Sequence, residues 1–297
     1  MRRRVVLAIN PSASFGASQG VGPMVARRLR AEGVEVTALS EGSMAELAAA
    51  VRGAVAEGTE ALVVVGGDGM VHLAVGLVAE TGIPLGVIPS GTGNDTARGL
   101  GIPVGDPDAA VDRLLEALAA PARMIDAGLI EHVGGRTWFA SVMSAGFDAL
   151  VNERANRMRR PRGKSRYTLA LLRELVSLRP MDYELEIDGV ARRTRGVLLA
   201  VANNSSLGGG MLIAPDASLD DGLLDVVLVK PVGRLRFLLL FPRVFRGAHI
   251  GLDVVEVLRA EQVRVSARAI AAYADGERVG PLPVSVRIVP GAVAVLA

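Results

Sequence analysis

The sequence predicts two domains, an α/β domain at the N-terminus followed by an antiparallel β domain. Short, uniformly apolar strands alternate with helical segments in the first part of the chain, which is typical of a parallel sheet covered on both faces. From about residue 122 the candidate strands follow one another through polar turns, which indicates an antiparallel sandwich or sheet. The 297 residues, half of them apolar, are enough for two cores. We place the first domain at 1–125, with 284–297 returning to it, and the second at 126–283.

The N-terminal half contains four apolar strand candidates. They are RVVLAI (4–9), VEVTAL (34–39), ALVVV (61–65) and LGVI (85–88). Stretches with helical spacing separate them. After the third strand, one face of the predicted helix is formed by Met70, Leu73, Ala74, Leu77 and Val78. In sheets of this kind ligands bind in the loops that leave the strand ends.

The C-terminal half contains closely spaced strand candidates that helical sequence interrupts twice. The candidates are RTWFASV, YELEIDG, RGVLLAVANN, LLDVVLV, LDVVEVL, QVRVSA, IAAYADGE and VSVRIV. The two helical inserts are expected at about 144–179 and 231–247. The last two strands, PVSVRIV and AVAVLA, are expected to complete the first domain.

Composition excludes several classes of protein. The chain has no cysteine, which excludes a disulfide framework, a thiolate nucleophile and a zinc–thiolate site. Its 33 Lys and Arg residues nearly balance 31 Asp and Glu residues, so we expect no nucleic-acid partner. The longest apolar stretches, such as GVLLAVA, fall far short of the roughly 18 residues that a membrane-spanning helix needs. We therefore expect a soluble, cytoplasmic protein.

Two glycine-rich loops are the main functional signal. GGDG (66–69) follows the third strand and PSGTGND (89–95) follows the fourth, so both should open at the same edge of the sheet. Glycines let the backbone approach a ligand closely, and amides at a helix start favour an anion. Neither loop is a Walker P-loop or a dinucleotide-binding G-x-G-x-x-G sequence. The pair predicts a phosphate site, although either loop alone could be an ordinary turn capped by an aspartate.

Three further segments have an ordinary structural interpretation that we favour. The arginine-rich stretch from Arg154 to Arg166 could grip phosphates or an anionic membrane, but it also fits a solvated helix end. The stretch 235–250 has the pattern of a helix lying on a membrane, yet Pro242 and its apolar content favour packing on the sandwich. SLDDGLLD (218–225) is first of all a turn, which could also offer carbonyls and Asp221 to a hard cation.

The motifs, in this order, resemble the catalytic domain of the diacylglycerol kinase family, in its soluble bacterial lipid-kinase branch. The similar segments are GGDG, PSGTGND, NPSAS (10–14), IDAG with Asp126, SAGFDA (144–149), LDDGLLDV, FRGAHI and ADGE (274–277). They cover nearly the whole chain. The resemblance implies an α/β nucleotide-binding domain, an antiparallel β-sandwich domain and an active site in the cleft between them.

The resemblance also implies roles for individual residues. The nucleotide-binding residues would be Asn10, Ser40, Gly66, Gly67, Asp68, Gly69, Met70, His72, Gly91, Thr92, Asn94 and Asp95. Asp68, Asp95 and Asp126 would gather around the cleft and its Mg²⁺ ion, with ATP as the phosphoryl donor. Ser218 and Leu223 through their carbonyls, and Asp221 through its side chain, would hold a structural Mg²⁺ ion. Glu277 would accept the proton from the lipid hydroxyl, and Asp68 would be the second catalytic residue.

The chain departs from the family at Met70 and His72, where Thr and Asn are usual. Three functions therefore stay open. The first is an ATP-dependent kinase of a lipid hydroxyl such as that of diacylglycerol. The second is a kinase of a soluble substrate, since NAD kinases also carry Gly-Gly-Asp-Gly, and the third is a non-catalytic nucleotide- or lipid-binding protein. We expect a lipid substrate, transient contact with a membrane surface and, as one option, a homodimer.

Overall fold

The computed structural model describes residues 3–10, 20–158, 160 and 164–297, with the backbone alone for 164–168. The chain divides into two compact units. Unit 1 comprises Met1–Ile125 and Gly291–Ala297, and unit 2 comprises Asp126–Pro290. The sequence predicts that the chain returns to the first domain from residue 284. In the structure Val284–Pro290 belong to unit 2, because the first residues of this last strand pair antiparallel with Gln262–Val265.

Unit 1 is an α/β domain built on a parallel sheet. Its elements are β1 (Arg4–Ile9), α1 (Val21–Ala31), β2 (Glu35–Leu39), α2 (Met44–Ala56), β3 (Ala61–Gly66), α3 (Asp68–Val78), β4 (Leu85–Pro89), α4 (Asp95–Gly99) and α5 (Pro107–Leu118). The strand order is β2-β1-β3-β4, and the C-terminal end of the chain's last strand adds to β4 through Val295 opposite Leu85. β3 and β4 are buried along their whole length, as their uniformly apolar sequences predict.

The strand register brings both glycine-rich loops to one edge of this sheet. Ile9 pairs with Val65, and Gly66 pairs with Pro89, so β1, β3 and β4 end side by side. The predicted common edge is confirmed. The chain leaves β3 through Gly67 directly into α3, and it leaves β4 through the loop before α4.

Unit 2 contains two antiparallel sheets. Its elements, of which β5 begins and β16 ends in unit 1, are β5 (Arg123–His132), β6 (Gly135–Phe139), β7 (Val142–Gly146), α6 (Phe147–Arg157), α7 (Lys164–Val176), β8 (Met181–Ile187), β9 (Val190–Gly196), β10 (Leu198–Ala202), β11 (Leu224–Val229), α8 (Arg234–Leu240), the 3₁₀ helix η1 (Phe241–Arg246), β12 (Val255–Ala260), β13 (Gln262–Ser266), β14 (Ala271–Ala274), β15 (Glu277–Pro281) and β16 (Val284–Leu296). One sheet has the order β12-β11-β10-β7-β14-β15. In the other, β9, β8, β13 and the first residues of β16 pair in that order.

The core of unit 2 lies between these two sheets. Leu199 and Val201 on β10 pack into one cluster with Val263 and Val265 on β13. The alternate residues Ala200 and Ala202 belong to a second cluster on the outer face of the six-stranded sheet. This inward and outward alternation is the signature of a sandwich, so the predicted antiparallel sandwich is confirmed.

Helices cover the outer face of the six-stranded sheet. α6 and α7 pack with Phe237 of α8 in a third apolar cluster. The rings of Phe147 and Phe237 meet edge to face with 5.0 Å between their centroids. The segment 235–250 therefore does pack on the sandwich through one side, as the sequence analysis favours, but its other side is exposed.

Two boundaries differ from the sequence analysis. RTWFASV is predicted as one strand and forms the end of β6 and the start of β7, because the chain turns at Ala140 and Ser141. The first helical insert begins at Phe147 instead of residue 144, since Val142–Gly146 pairs with strands on both sides. The predicted strands VSVRIV and AVAVLA are a single strand, β16.

Two segments singled out in the sequence lie partly outside the described residues. Of the motif NPSAS only Asn10 is described, and Arg159 and Arg162 of the arginine-rich stretch also lie outside the described residues. Within the residues that are described, no helix has the length and apolar content needed to cross a membrane.

Candidate functional site

The two glycine-rich loops of unit 1 touch each other through their backbones. A Cβ atom built on Gly67 would lie 3.0 Å from the Cα of Gly91, and one built on Gly91 would overlap the Cα of Gly67. The amide of Ser90 donates to the carbonyl of Gly66 at 2.9 Å, which ties the loops together at their base. Only glycine allows this approach, so the paired glycines are explained by geometry.

The Asp68 carboxylate bridges the same two loops. Its Oδ1 accepts hydrogen bonds from the backbone amides of Asp95 at 2.7 Å and Thr96 at 3.3 Å. A Cβ on Gly93 would overlap its other oxygen, Oδ2. Asp68 therefore has a structural role that its sequence did not reveal: it caps α4 from the neighbouring loop.

The second loop is closed by its own side chains. Asn94 is buried in the left-handed conformation, with φ of 59°. Its Oδ1 accepts from the amide of Gly91, and its Nδ2 donates to the Gly91 carbonyl, both at 2.9 Å. Arg98 donates to the Gly93 carbonyl at 2.6 Å and to Asp95 Oδ1 at 3.0 Å. Gly91 and Thr92 are left exposed at the tip of the loop.

The remaining predicted residues of unit 1 differ in their distance from this loop pair. Asn10 follows β1, next to β3, and its amide donates to the Val65 carbonyl at 3.0 Å. Ser40 is exposed after β2, which lies on the far side of β1. Met70 is 1% exposed and packs over Gly66, where a Cβ would overlap its side chain. His72 is half-buried on α3.

In unit 2, Asp126 fixes the loop that the resemblance assigns to a metal. Its Oδ2 accepts from the amide of Gly222 at 2.7 Å, and its own amide donates to the Leu219 carbonyl at 2.6 Å. In that loop Ser218 Oγ donates to Asp220 at 2.7 Å, and the amide of Leu223 donates to Asp221 Oδ1 at 3.1 Å. The other oxygen of Asp221 pairs with the guanidinium of Arg259.

Each proposed Mg²⁺ position includes a carboxylate that pairs with an arginine in this structure. Ser218, Asp221 and Leu223 would supply one carboxylate and two backbone carbonyls, and Arg259 pairs with that carboxylate, so the structural Mg²⁺ ion at this loop stays a prediction. Throughout the described ranges, no group of three His, Asp or Glu side chains is arranged to hold a metal. Asp68 and Asp95 supply two carboxylates, of which Asp95 pairs with Arg98, and a nucleotide-bound Mg²⁺ ion takes one or two carboxylates and completes its shell with water and phosphate.

The ADGE turn is held by Asp275. Its two carboxylate oxygens accept three backbone amides, those of Ala140 at 3.0 Å, Ser141 at 2.9 Å and Val142 at 3.2 Å. Asp275 itself has φ of 50°, and Gly276 has φ of 86°, as a tight turn requires. Glu277 then starts β15 with an exposed side chain. The turn therefore presents the Glu277 carboxylate on a rigid support.

Sequence reasoning missed a buried amide that joins these parts of unit 2. Asn203 is fully buried, and its Nδ2 donates to the carbonyls of Asp126 at 3.0 Å and Ala140 at 2.9 Å. Its backbone amide donates to the Ser141 carbonyl at 2.8 Å. The sequence contained a signal for this residue, since two asparagines directly follow an apolar strand. A polar side chain next to a buried strand usually has a hydrogen-bond partner inside the protein.

Unit 2 also contains an apolar cavity beneath α8. Its volume is about 80 Å³. The lining includes Phe147, Leu171, Leu198, Phe237, Phe241 and Val244. A mostly apolar lining with a few polar groups is typical of a site for a small organic ligand.

His249 brings a hydrogen-bond acceptor to the wall of this cavity. It is 6% exposed, and its Nε2 lies 3.0 Å from the carbonyl of Ile213. A carbonyl only accepts, so Nε2 carries the hydrogen, and Nδ1 of the neutral ring is an acceptor with no hydrogen-bond partner in the described part of the chain. Burial lowers the pKa of His249, against the opposing effect of the hydrogen bond to Ile213, and this favours the neutral ring.

Comparison with known proteins identifies relatives of both units. Residues 4–127 match the family model of the diacylglycerol kinase catalytic domain. Residues 141–297 match the model of the YegS C-terminal NAD kinase beta sandwich-like domain. A protein named diacylglycerol kinase from Mycobacterium tuberculosis (strain H37Rv) is 42% identical over 99% of this chain and 94% of its own length. Another of that name, from Bacillus subtilis (strain 168), is 34% identical over 75% of this chain and 72% of its own length.

Solved structures share the fold. A crystal structure described as that of a diacylglycerol kinase from Bacillus anthracis str. Sterne superposes with a TM-score of 0.73. It covers 99% of this chain and 96% of its own, at 19% sequence identity. At this identity the likeness establishes the fold alone.

The contact between Gly67 and Gly91 gives a first prediction. Gly91→Ala places a methyl group against the Gly67 backbone, and such overpacking should lower the free energy of unfolding by about 1–3 kcal/mol. Gly76→Ala is the control, because a Cβ there meets nothing within 4 Å and should add about 0.5–1 kcal/mol in a helix. Urea unfolding of both variants checks the difference. Equal stabilities would mean that the loops do not touch.

The hydrogen bonds of Asp275 give a second prediction. Asp275→Ala leaves three backbone amides without their acceptor, so the free energy of unfolding should fall by about 2–4 kcal/mol. Asp275→Asn keeps one acceptor oxygen and should lose less. Asp182→Ala removes a carboxylate that is 85% exposed and should change stability by less than about 0.5 kcal/mol. Thermal and urea unfolding of the three variants would test this order, which a mild Asp275→Ala phenotype contradicts.

His249 gives a third prediction, for pH. The folded state holds its pKa below the ordinary 6.5, so the unfolded chain takes up the proton first. The free energy of unfolding should therefore fall as pH drops below about 6.5, by at most about 1.4 kcal/mol per pH unit. His249→Gln keeps an N–H donor for Ile213 but does not titrate. The free energies of unfolding of wild type and this variant are compared from about pH 7.5 to about pH 5, which brackets the ordinary His pKa. Their difference should shrink in acid. A constant difference would mean that His249 does not cause the loss of stability at low pH.

Proposed function

We propose that this chain, which belongs to the diacylglycerol kinase family and is a lipid kinase, transfers the γ-phosphoryl group of ATP to the hydroxyl of a diacylglycerol. ATP as donor, Mg²⁺ as its counter-ion and diacylglycerol as acceptor are the parts of this statement that are proposed. The name of the Mycobacterium tuberculosis relative, which matches 99% of this chain, supports the choice of acceptor.

The contact between Gly67 and Gly91 is the observation that carries the proposal. It requires both residues to lack a side chain where the two loops meet, so that a phosphate group can approach the backbone there. α3 begins at Asp68, and the first amides of a helix have no partner within the helix and attract anions. The exposed Thr92 hydroxyl at the loop tip adds a hydrogen-bond donor for a phosphate oxygen.

Asp68 has two functions in this proposal. Its Oδ1 holds the amides of Asp95 and Thr96, and this orders the second loop before any ligand binds. Its negative charge, with that of Asp95, would hold the Mg²⁺ ion that accompanies ATP. When bound, that ion neutralises charge on the phosphates, and phosphoryl transfer depends mainly on such neutralisation and on positioning.

The cavity of unit 2 supports a lipid as acceptor. Its lining is almost entirely apolar, which suits the hydrocarbon part of a lipid better than a dinucleotide such as NAD. Ser144, Asp148 and His249 add a few polar groups to this lining, which can bind the polar end of a lipid. This contrast favours a lipid over the soluble substrate that the Gly-Gly-Asp-Gly motif also allows.

Glu277 is the residue proposed to accept the proton of the lipid hydroxyl. Its carboxylate is exposed at the start of β15, and the turn before it is fixed by the three hydrogen bonds of Asp275. A general base needs to be within hydrogen-bond reach of its proton, and a rigid support favours that. Proton transfer to Glu277 would accompany attack of the hydroxyl oxygen on the γ-phosphorus, with ADP as the leaving group.

A lipid panel tests this function and is the fourth prediction. ATP consumption and product mass are measured with diacylglycerol, a sphingoid alcohol, a glycolipid and NAD. Diacylglycerol should give a product heavier by one phosphoryl group. Asp68→Asn keeps the Oδ1 acceptor for the second loop but removes the charge, so turnover should fall by about 10²–10³ with little loss of stability. Glu277→Gln should reduce turnover by about 10²–10⁴ while nucleotide affinity changes little.

Matched substitutions serve as controls for the two variants. Asp108→Asn in unit 1, on a side chain that is 74% exposed, and Glu261→Gln in unit 2, at an exposed position, should leave turnover unchanged. Full activity of Glu277→Gln would remove this residue from the mechanism. A wild-type protein that binds ATP and phosphorylates no lipid would support the non-catalytic alternative, and phosphorylation of NAD alone would support the soluble-substrate kinase.

A further inference from the structure

The outer side of α8 and η1 exposes large apolar side chains. Leu235 is 72% exposed, Leu238 43% and Leu239 68%, and Phe245 on η1 is 50% exposed. The three leucines are spaced i, i+3 and i+4, so they form one stripe along the helix. Phe237, which lies on the opposite side of the helix, is buried at 8% exposure. The stripe therefore adds nothing to the packing that holds α8 on the sandwich.

The same surface is basic. Residues 234–246 contain four arginines and no acidic residue. Arg236 pairs with Asp253 at 2.6 Å, while Arg234, Arg243 and Arg246 have no acidic partner among the residues that the structure describes. All four side chains are exposed. An exposed apolar stripe bordered by unneutralised arginines is complementary to an anionic surface with an apolar interior.

We propose that the outer side of residues 234–246 docks on the surface of an anionic membrane. The leucines and Phe245 would enter the boundary between headgroups and acyl chains, and the arginines would contact the anionic headgroups. A second copy of the chain fits less well, because two such basic surfaces would repel each other. The inference concerns binding, and it holds whichever lipid the protein phosphorylates.

The cavity beneath α8 gives this surface a connection to the proposed reaction. Phe237, Leu240 and Phe241, on the inner side of the same segment, line that cavity. Docking the outer side would thus bring the cavity wall to the bilayer, where a lipid substrate resides. This connection rests on the proposed function, whereas the docking does not.

Flotation with vesicles tests the proposal. The full chain is mixed with vesicles of phosphatidylcholine alone or of phosphatidylcholine with phosphatidylglycerol, and the bound fraction is measured. The wild type should bind the anionic vesicles more tightly, and added salt should weaken this binding.

Leu235→Ser with Leu239→Ser should weaken binding to the anionic vesicles by at least about tenfold, since two exposed leucines no longer enter the membrane. Arg243→Gln with Arg246→Gln should weaken it by about 5- to 30-fold.

Matched controls remove the same groups from elsewhere in unit 2. Val133→Ser with Val190→Ser replaces two valines that are 87% and 69% exposed. Arg179→Gln with Arg268→Gln removes two exposed arginines and the same net charge. Both control pairs should bind anionic vesicles like the wild type. All substituted positions are exposed, and melting curves would verify that every variant folds.

Three results would overturn the docking proposal: wild type that does not bind anionic vesicles, controls that lose binding equally, or leucine and arginine pairs that keep it. Sedimentation equilibrium on the leucine pair adds a fourth, because conversion of a dimer into a monomer would identify the surface as a self-association interface. A kinase assay with short-chain diacylglycerol dispersed as monomers separates this proposal from the proposed function. Inactivity there with intact vesicle binding refutes the function alone, whereas activity without vesicle binding refutes the docking alone.

Discussion

The site in unit 1 depends on one constraint, the contact of two backbones at Gly67 and Gly91 with no side chain between them. The loops that follow two adjacent strands can leave the sheet without touching each other. Here the loops touch, and Asp68 fastens the contact by accepting two amides of the opposite loop. The carboxylate on the glycine turn thus orders the backbone of the proposed phosphate site as well as carrying charge, and these two effects cannot be separated by removing the whole side chain.

Unit 2 has a comparable centre in the three residues Ala140–Val142. Their amides are held by Asp275, and Asn203 bonds both to the Ala140 carbonyl and to that of Asp126. One short turn between two strands therefore connects the base of the ADGE turn with the aspartate that fixes the 218–223 loop. Asp126 and Asp275 therefore hold backbone amides within unit 2, whereas Glu277 remains exposed.

The sequence predicted those features of the fold and site that depend on a short stretch of neighbouring residues. Uniformly apolar strands gave the parallel sheet, and two glycine-rich loops after adjacent strands placed the candidate phosphate site at one edge. It failed where the partner is distant in the chain. Asp275 accepts hydrogen bonds from residues about 135 positions away, and Arg259 on β12 pairs with Asp221 in the loop before β11. Neither contact can be recognised from the sequence around the residues that make it. The exposure of α8 was equally hidden, because its leucines and phenylalanines read as one apolar run until the fold separates them into two sides.

Met70 shows how the fold changes the meaning of a departure from the family pattern. A hydroxyl side chain is usual at this position in the family, and its replacement by methionine suggested a lost phosphate contact. The side chain at position 70 is 1% exposed, however, and lies against Gly66 inside unit 1. Its amide is also engaged, donating to the Gly67 carbonyl at 2.9 Å as the first turn of α3 forms. The Met70 side chain therefore packs inside unit 1 against the first glycine of the loop, and methionine adapts readily to irregular gaps of this kind. The methionine is therefore compatible with an active kinase. The other departure, His72, is half-buried on the same helix, so of the two it alone could affect the proposed nucleotide site.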